Sequence, residues 1–376
     1  MPINGASMND NGLKYKIGIS LIPGVGPVSA KKLIAYLGSA EGVFTAAKSR
    51  LQKIPGIGES TAECISKQDV LDRANQEIEF IRANNITPLF YLDDEYPERL
   101  RQCDDAPVIL FISGLKEFNS KKVISIVGTR NATSFGREIC RDFIAGIAAN
   151  HHDAIVVSGL AYGIDITAHK AAMNNGLKTV AVLGHGFDTI YPPIHKKISA
   201  EISQHGALIT DYLSNTLPDR QNFVKRNRII AGMSDATVVV ESDTTGGSLI
   251  TAEYAVSYNR DVFAFPGRIN DTKSKGCNYL IKNNKAALIE SVNDLEYYLG
   301  WDDQVKTNQY KQQKLFHDLT DNEKHIINIL KTNGDLLIDM ISNLSGFPSG
   351  RVSTILLNLE FSGLVKCLPG KVYTLL

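Results

Sequence analysis

The sequence predicts an α/β protein built on a doubly wound, mostly parallel sheet, with a small helical unit on either side of it in the chain. Three observations carry that expectation. Between Lys121 and Ile289, short apolar runs alternate with longer segments of helical period, which is the pattern of strand–helix–strand units. Val123–Val127 is the clearest strand, an apolar and β-branched run suited to burial on both faces of a parallel sheet. Gly128 ends it, and Ser134 opens a helical pattern through Phe135, Ile139, Phe143, Ile144 and Ile147. The layout then repeats as strand Ala154–Val157, turn Ser158-Gly159-Leu160-Ala161-Tyr162-Gly163, and a helix from Asp165.

Composition sets the outer bounds. A chain of 376 residues has room for two or three domains and a large core. Its 43% hydrophobic and 21% charged residues are those of a soluble globular protein. The net charge is +0, so any contact with nucleic acid must use a local basic patch. Five cysteines lie scattered with no Cys-x-x-Cys, which fits a reducing cytoplasm and argues against structural zinc or a disulfide frame. The N-terminus is polar and no apolar run is long enough for a bilayer, so a cytoplasmic protein with no membrane partner is expected.

Taken in order, residues 1–12 read as a tail and 13–70 as a tandem helical repeat. Leu21-Ile22-Pro23-Gly24-Val25-Gly26 returns 32 residues later as Lys53-Ile54-Pro55-Gly56-Ile57-Gly58. Each copy reads helix, Pro-Gly-x-Gly turn, helix, and resembles the helix–hairpin–helix unit. Such glycines let the backbone approach a phosphate. Lys31 and Lys32 follow the first copy but Glu59 and Glu63 the second, so only the first suits DNA; packing or protein binding is the other reading. Residues 71–296 form the α/β region, opened by a connecting helix over Leu71–Asn84. Its strands are placed at Pro88–Tyr91, Val108–Ile112, Val123–Val127, Ala154–Val157, Thr179–Leu183, Ala207–Thr210, Ala236–Glu241, Val262–Phe265 and Ala287–Ile289. Residues 297–315 are polar and read as a linker. Residues 316–376 give three helical patterns and a hairpin about Pro369-Gly370, a winged-helix order. Its third helix offers only Arg351 as a base-reading cation, which suits protein docking or weak DNA contact.

The chemistry concentrates where strands turn into helices. Free amides at a helix N-terminus attract anions, and the turns after Val127 and Val157 should share one edge of the sheet. Arg130 adds a planar fork for phosphate, although Gly128-Thr129-Arg130 alone is equally compatible with a plain turn and a solvated arginine. Gly246-Gly247 supplies a third such turn. No Gly-x-Gly-x-x-Gly follows Val127 and no Gly-x4-Gly-Lys-Ser/Thr occurs, so no nucleotide cofactor is expected. Phe223-Val224-Lys225-Arg226-Asn227-Arg228 is the densest basic segment of the region and sets cations beside an aromatic ring, as a single strand requires. A solvated charged helix face is the plain alternative. Asp165 and His169 fall at i, i+4, but no nucleophile or metal-ligand spacing accompanies them, and no catalytic residue or metal is expected.

Together, Ile126-Val127-Gly128-Thr129-Arg130, Ser158-Gly159-Leu160-Ala161-Tyr162-Gly163-Ile164-Asp165, Ala168-His169, Tyr191-Pro192, Phe223-x-x-Arg226-Asn227-Arg228-Ile229-Ile230-Ala231-Gly232, Thr251-Ala252 and Phe265-Pro266-Gly267 resemble the DprA/Smf family of DNA-processing proteins. The resemblance spans about Pro88–Leu295, and the tandem hairpins and terminal winged helix fit it. It implies a Rossmann-like cleft that binds single-stranded DNA, a homodimer, and loading of RecA recombinase during natural transformation. Carried onto matching positions, it implicates Gly128, Thr129, Arg130, Ser158, Gly159, Phe223, Lys225, Arg226, Asn227 and Arg228 in holding DNA. Two positions depart from the pattern. Tyr162 stands where the family has Arg, losing a cation and offering a ring, and Val224 stands where it has Pro. Another class of reading is a nucleotide phosphoribohydrolase, in which Gly246-Gly247 would precede a catalytic Glu253; the paired Arg and spacing of that motif are missing. A ligand-sensing winged-helix regulator would need a more basic third helix.

Overall fold

The structure, a computed structural model, describes residues 10–67, 69–301, 319–368 and 371–375. Two compact units divide at Trp301. The larger is organised on nine strands: β1 (Thr87–Phe90), β2 (Ile109–Gly114), β3 (Val123–Val127), β4 (Ile155–Ser158), β5 (Lys178–Val182), β6 (Ala207–Thr210), β7 (Ala236–Val239), β8 (Asp261–Ala264) and β9 (Ala287–Leu288). They lie in the order β1-β2-β6-β5-β4-β3-β7-β8-β9. From β6 to β9 every pairing is parallel, while β2 runs antiparallel to β6 and β1 antiparallel to β2. The doubly wound sheet is therefore present, with an antiparallel edge.

All five residues of β3 are buried, and the pleat sends them to opposite faces. Val123 and Val127 join a core with Ile229, Ile230 and Ala252, from the helices Arg220–Gly232 and Gly247–Ser257. Ile124 and Ile126 join another with Phe143, Ile144 and Ala168, from the helices Ser134–Asn150 and Ile164–Asn174. Each fully buried Ile or Val contributes roughly 1.5–3 kcal/mol of transfer free energy, which fixes the strand register. From β3 the chain winds one way through β4, β5 and β6, then resumes on the other side at β7. The topological switch point thus lies between β3 and β7, where a crevice opens at the strands' C-terminal ends.

The tandem hairpins occupy five helices between Asp10 and Lys67, and Gly24 and Gly56 take φ of 77° and 84° at the two turns, a conformation glycine adopts without cost. The boundary expected at residue 70 is not a break in the core. The helix Leu71–Ala83 packs Ala74, Ile78 and Ile81 with Ile17 and Leu33 of the hairpins and with Ile109 and Phe111 of β2. Lys31 is also not a free cation: its ammonium donates to the carbonyls of Cys103 and Asp104, both at 3.1 Å, and burial lowers its pKa.

The expected linker start at Tyr297 is corrected as well. The helix Val292–Leu299 runs through it from a Ser291/Asp294 capping box, and Trp301 is buried with its ring 5.6 Å from that of His151. Tertiary burial outweighs the polar composition of that stretch. The rest of the expected linker, residues 302–315, lies outside the described residues, as does most of the tail.

The smaller unit has helices Asp321–Asn333, Ile338–Ser345 and Ser349–Phe361, with β10 (Leu336–Leu337), β11 (Val365–Leu368) and β12 (Val372–Leu375) in the antiparallel order β10-β12-β11. Ile326, Leu330, Ile341, Val352 and Leu356 form its core. Leu336 and Leu337, just ahead of the second helix, form a strand because β12 pairs with them. The turn residues Pro369 and Gly370 lie outside the described residues. Leu357 and Phe361 stand exposed on the third helix, and Arg351 lies over the Phe347 ring at 4.7 Å.

Candidate nucleic-acid interface

A cleft of about 430 Å³ opens at the switch point, and all three anion-friendly turns border or underlie it. They are not equivalent. After β3 the helix Ser134–Asn150 is capped by Thr133, and the Glu241 carboxylate accepts from the Thr133 amide at 2.9 Å and its hydroxyl at 2.5 Å. A Cβ on Gly136 would lie 2.1 Å from that carboxyl carbon, so glycine is what admits it. The protein's own carboxylate fills the first turn. After β4 the second turn is closed by Asp165, which accepts from the Ala161 amide at 3.4 Å. Burial pushes the Asp165 carboxyl up from its ordinary range, and Arg226 with the amides of Ala161 and Gly159 pulls the other way. Gly163, at φ 78°, presses on the Thr129 and Arg130 backbone and locks the two turns together.

Only the third turn stays open. Gly246 caps the helix Gly247–Ser257 with no side-chain hydrogen bond, and a Cβ on Gly247 would meet nothing within 4 Å. Thr245, Gly246, Gly247 and Ser248 line the cleft here, and the positive end of the helix dipole faces it. At the β7 turn the helix N-terminus keeps no side-chain cap, while at β3 and β4 internal carboxylates occupy the turns.

The basic segment divides in the same way. Arg130 and Arg220 are exposed and line the cleft, and Lys225 is exposed outside its lining. Arg130 sits 5.8 Å from the Phe223 ring centre. That ring rests on Gly184, where a Cβ would come within 2.7 Å of it, and lies 5.4 Å from the Tyr191 ring. Arg226, by contrast, is 4% exposed; its Nη1 donates to the Gly159 carbonyl at 2.7 Å and to the Val182 carbonyl. Burial lowers its pKa to about 10, with Asp165 opposing. Arg228 pairs with Asp211 at 2.5 Å and donates to the Asp105 carbonyl at 2.7 Å. Burial opposes its charge, but Asp211 and Asp105 outweigh it and hold its pKa above the ordinary value.

A family model described as DNA recombination-mediator protein A matches residues 87–300, more than half of the chain. The chain belongs to the DprA/Smf family. A SAM-like helix-hairpin-helix tandem matches residues 19–68, and a DprA winged helix domain matches 317–371. Among DprA/Smf relatives, Protein Smf of Synechocystis is 32% identical over 96% of this chain and 98% of its own length. The DNA processing protein DprA of Streptococcus pneumoniae is 40% identical over 54% of this chain and 71% of its own. The Streptococcus pneumoniae DprA crystal structure superposes at TM-score 0.65, with 32% identity, covering 79% of this chain and 98% of that one. A Helicobacter pylori DprA structure, described for its single-stranded DNA binding mode, matches at TM-score 0.52 and 27% identity, covering 58% of this chain and 96% of that one.

Of the residues the DprA/Smf pattern implicates, Gly128, Thr129, Arg130, Phe223, Arg226 and Asn227 meet in the cleft lining. Ser158 is buried and donates to the Ile126 carbonyl at 2.7 Å, and Gly159 presents its carbonyl to Arg226, so both brace the site. Asn227 donates to the Gly247 carbonyl at 3.2 Å and so steadies the open turn. Arg226 and Arg228, expected to hold DNA, have guanidinium groups engaged with carbonyls and, for Arg228, a carboxylate inside the fold. Arg220, Thr245 and Ser248 are among the cleft residues that motif matching passed over. The signal for Arg220 is its position one residue after Asp219, whose carboxylate caps the helix at the Gln221 amide, 2.7 Å away. Asp165 and His169 form no acid–base pair. Nδ1 of His169 lies 2.7 Å from the Thr179 hydroxyl, and burial holds its pKa down to about 3.

Proposed function

We propose that this chain binds single-stranded DNA in the switch-point cleft and passes it to a RecA-type recombinase during DNA recombination or natural transformation, as a cytoplasmic homodimer. The observation that carries the DNA step is one surface combining an amide turn without a side-chain cap, the exposed cations Arg130 and Arg220, and the Phe223 ring. Charges for the backbone and a π-face for a base are the two needs of single-strand binding. Base-reading forks are few here, so little sequence preference follows. The described single-strand binding of the Helicobacter pylori relative supports the same reading. Recombinase transfer and dimerisation rest on family membership.

The phosphoribohydrolase reading finds no support in the geometry. Glu253 lies outside the cleft lining, among Ala252, Val256, Leu280 and Lys285, and reaches the Lys285 ammonium at 3.5 Å. Fluorescence anisotropy with labelled oligo-dT against duplex DNA tests the proposal, run beside a nucleotide-hydrolysis assay. Preference for oligo-dT with no turnover is expected. Tight binding to one duplex sequence, or release of base abolished by Glu253→Gln, would overturn it.

A further inference from the structure

Beside the cleft lies a small hollow lined by Tyr162, Tyr191 and Pro192, and the two share Arg130, Ala161, Phe223 and Arg226. The hollow is therefore a continuation of the cleft wall. Its two tyrosines are exposed for such large rings, at 45% for Tyr162 and 41% for Tyr191. Neither is loose. Tyr191 lies over Phe223 with an interplanar angle of 34° and 5.4 Å between centres. Tyr162 meets His195 edge-on at 5.1 Å, and that imidazole is buried, with Nδ1 2.9 Å from the Leu160 carbonyl oxygen. Held rings that remain exposed lose little side-chain entropy on binding, which favours them as stacking surfaces.

We infer that Tyr191 and Tyr162 extend the Phe223 platform into a strip on which further unpaired bases of a single strand stack, so that at position 162 this chain binds through a ring rather than a charge. The inference rests on the proposed single-strand binding. Its physical consequence is a division of labour along the bound strand. The cleft end, with Arg130, Arg220 and the Gly246–Ser248 turn, holds phosphate and responds to salt. The tyrosine end adds affinity that salt does not screen, because a neutral ring displaces no counterion.

The test uses the full chain and two probes, a labelled oligo-dT and an oligo of equal length in which abasic sites replace the thymines. Tyr162→Ala and Tyr191→Ala should each weaken oligo-dT binding roughly 5- to 150-fold with the salt slope unchanged, the range set by stacking of one base. Both should bind the abasic oligo as the wild type does. Tyr162→Phe should keep wild-type affinity, and Tyr162→Arg should steepen the salt slope by about 0.7, one added phosphate contact. Wild-type oligo-dT affinity in the folded alanine variants overturns the inference alone. So does an equal loss on both probes, which would mark a merely structural role. A wild-type protein that binds neither probe overturns the proposed function and this inference together.

Discussion

The exposed and buried arginines that line one cleft should answer to different measurements. Arg130→Ala removes an exposed side chain whose contact is the face of Phe223. The fold should not notice it, since substitutions of this kind usually stay within about 0.5 kcal/mol. Binding should: each phosphate neutralised on a single strand contributes about 0.7 to the slope of log affinity against log salt. Over a fourfold rise in salt the wild type should then lose roughly 2.6-fold more affinity than the variant. Arg226→Ala is the opposite case. It strips the Gly159 and Val182 carbonyls of their donor and leaves the buried Asp165 without its opposing charge. Breaking such a buried set costs about 3–5 kcal/mol, against a total stability of about 5–15 kcal/mol for a typical domain. The assay is urea unfolding of both variants, followed by oligo-dT affinity across a salt series for whatever remains folded. An Arg226→Ala protein that unfolds like the wild type while losing about 0.7 of slope would falsify this division.

Three further outcomes follow from the same geometry. Gly247→Asp places a carboxylate where a Cβ has open space; it should stabilise the helix start by about 0.3–1 kcal/mol yet cut oligo-dT affinity by roughly tenfold or more, and unchanged affinity would remove the open turn from the site. Trp301→Ala should destabilise the larger unit by about 3–5 kcal/mol in urea, because the ring is buried against His151; a neutral result would return that residue to the linker. His169 contributes a pH dependence. Its folded pKa of about 3 lies below the ordinary 6.5, so the unfolded chain takes up a proton first and stability falls as pH drops below 6.5. By about pH 5 this should amount to about 2 kcal/mol relative to His169→Asn, which cannot titrate there, and parallel curves for the two proteins would refute it.

Much of the architecture is legible along the chain. The strand–helix alternation, the Pro-Gly-x-Gly repeat and the terminal helix–hairpin pattern are local signals, because helix and strand periodicities are properties of consecutive residues. Gly128-Thr129-Arg130 and Gly246-Gly247 could be picked out for the same reason: a turn after a strand declares itself in sequence, and in a doubly wound sheet those turns share an edge. What sequence could not decide is which amides and which cations remain available. Glu241 lies more than a hundred residues from Thr133, yet it fills the first turn because β3 and β7 are neighbours. Arg226 and Lys225 are adjacent in the chain and equally charged. A helix turns successive side chains by 100°, so one is buried under the Gly159 turn and the other is left in water. Charge is written in the sequence; whether that charge faces solvent or a carbonyl is fixed only when the helix docks on the sheet.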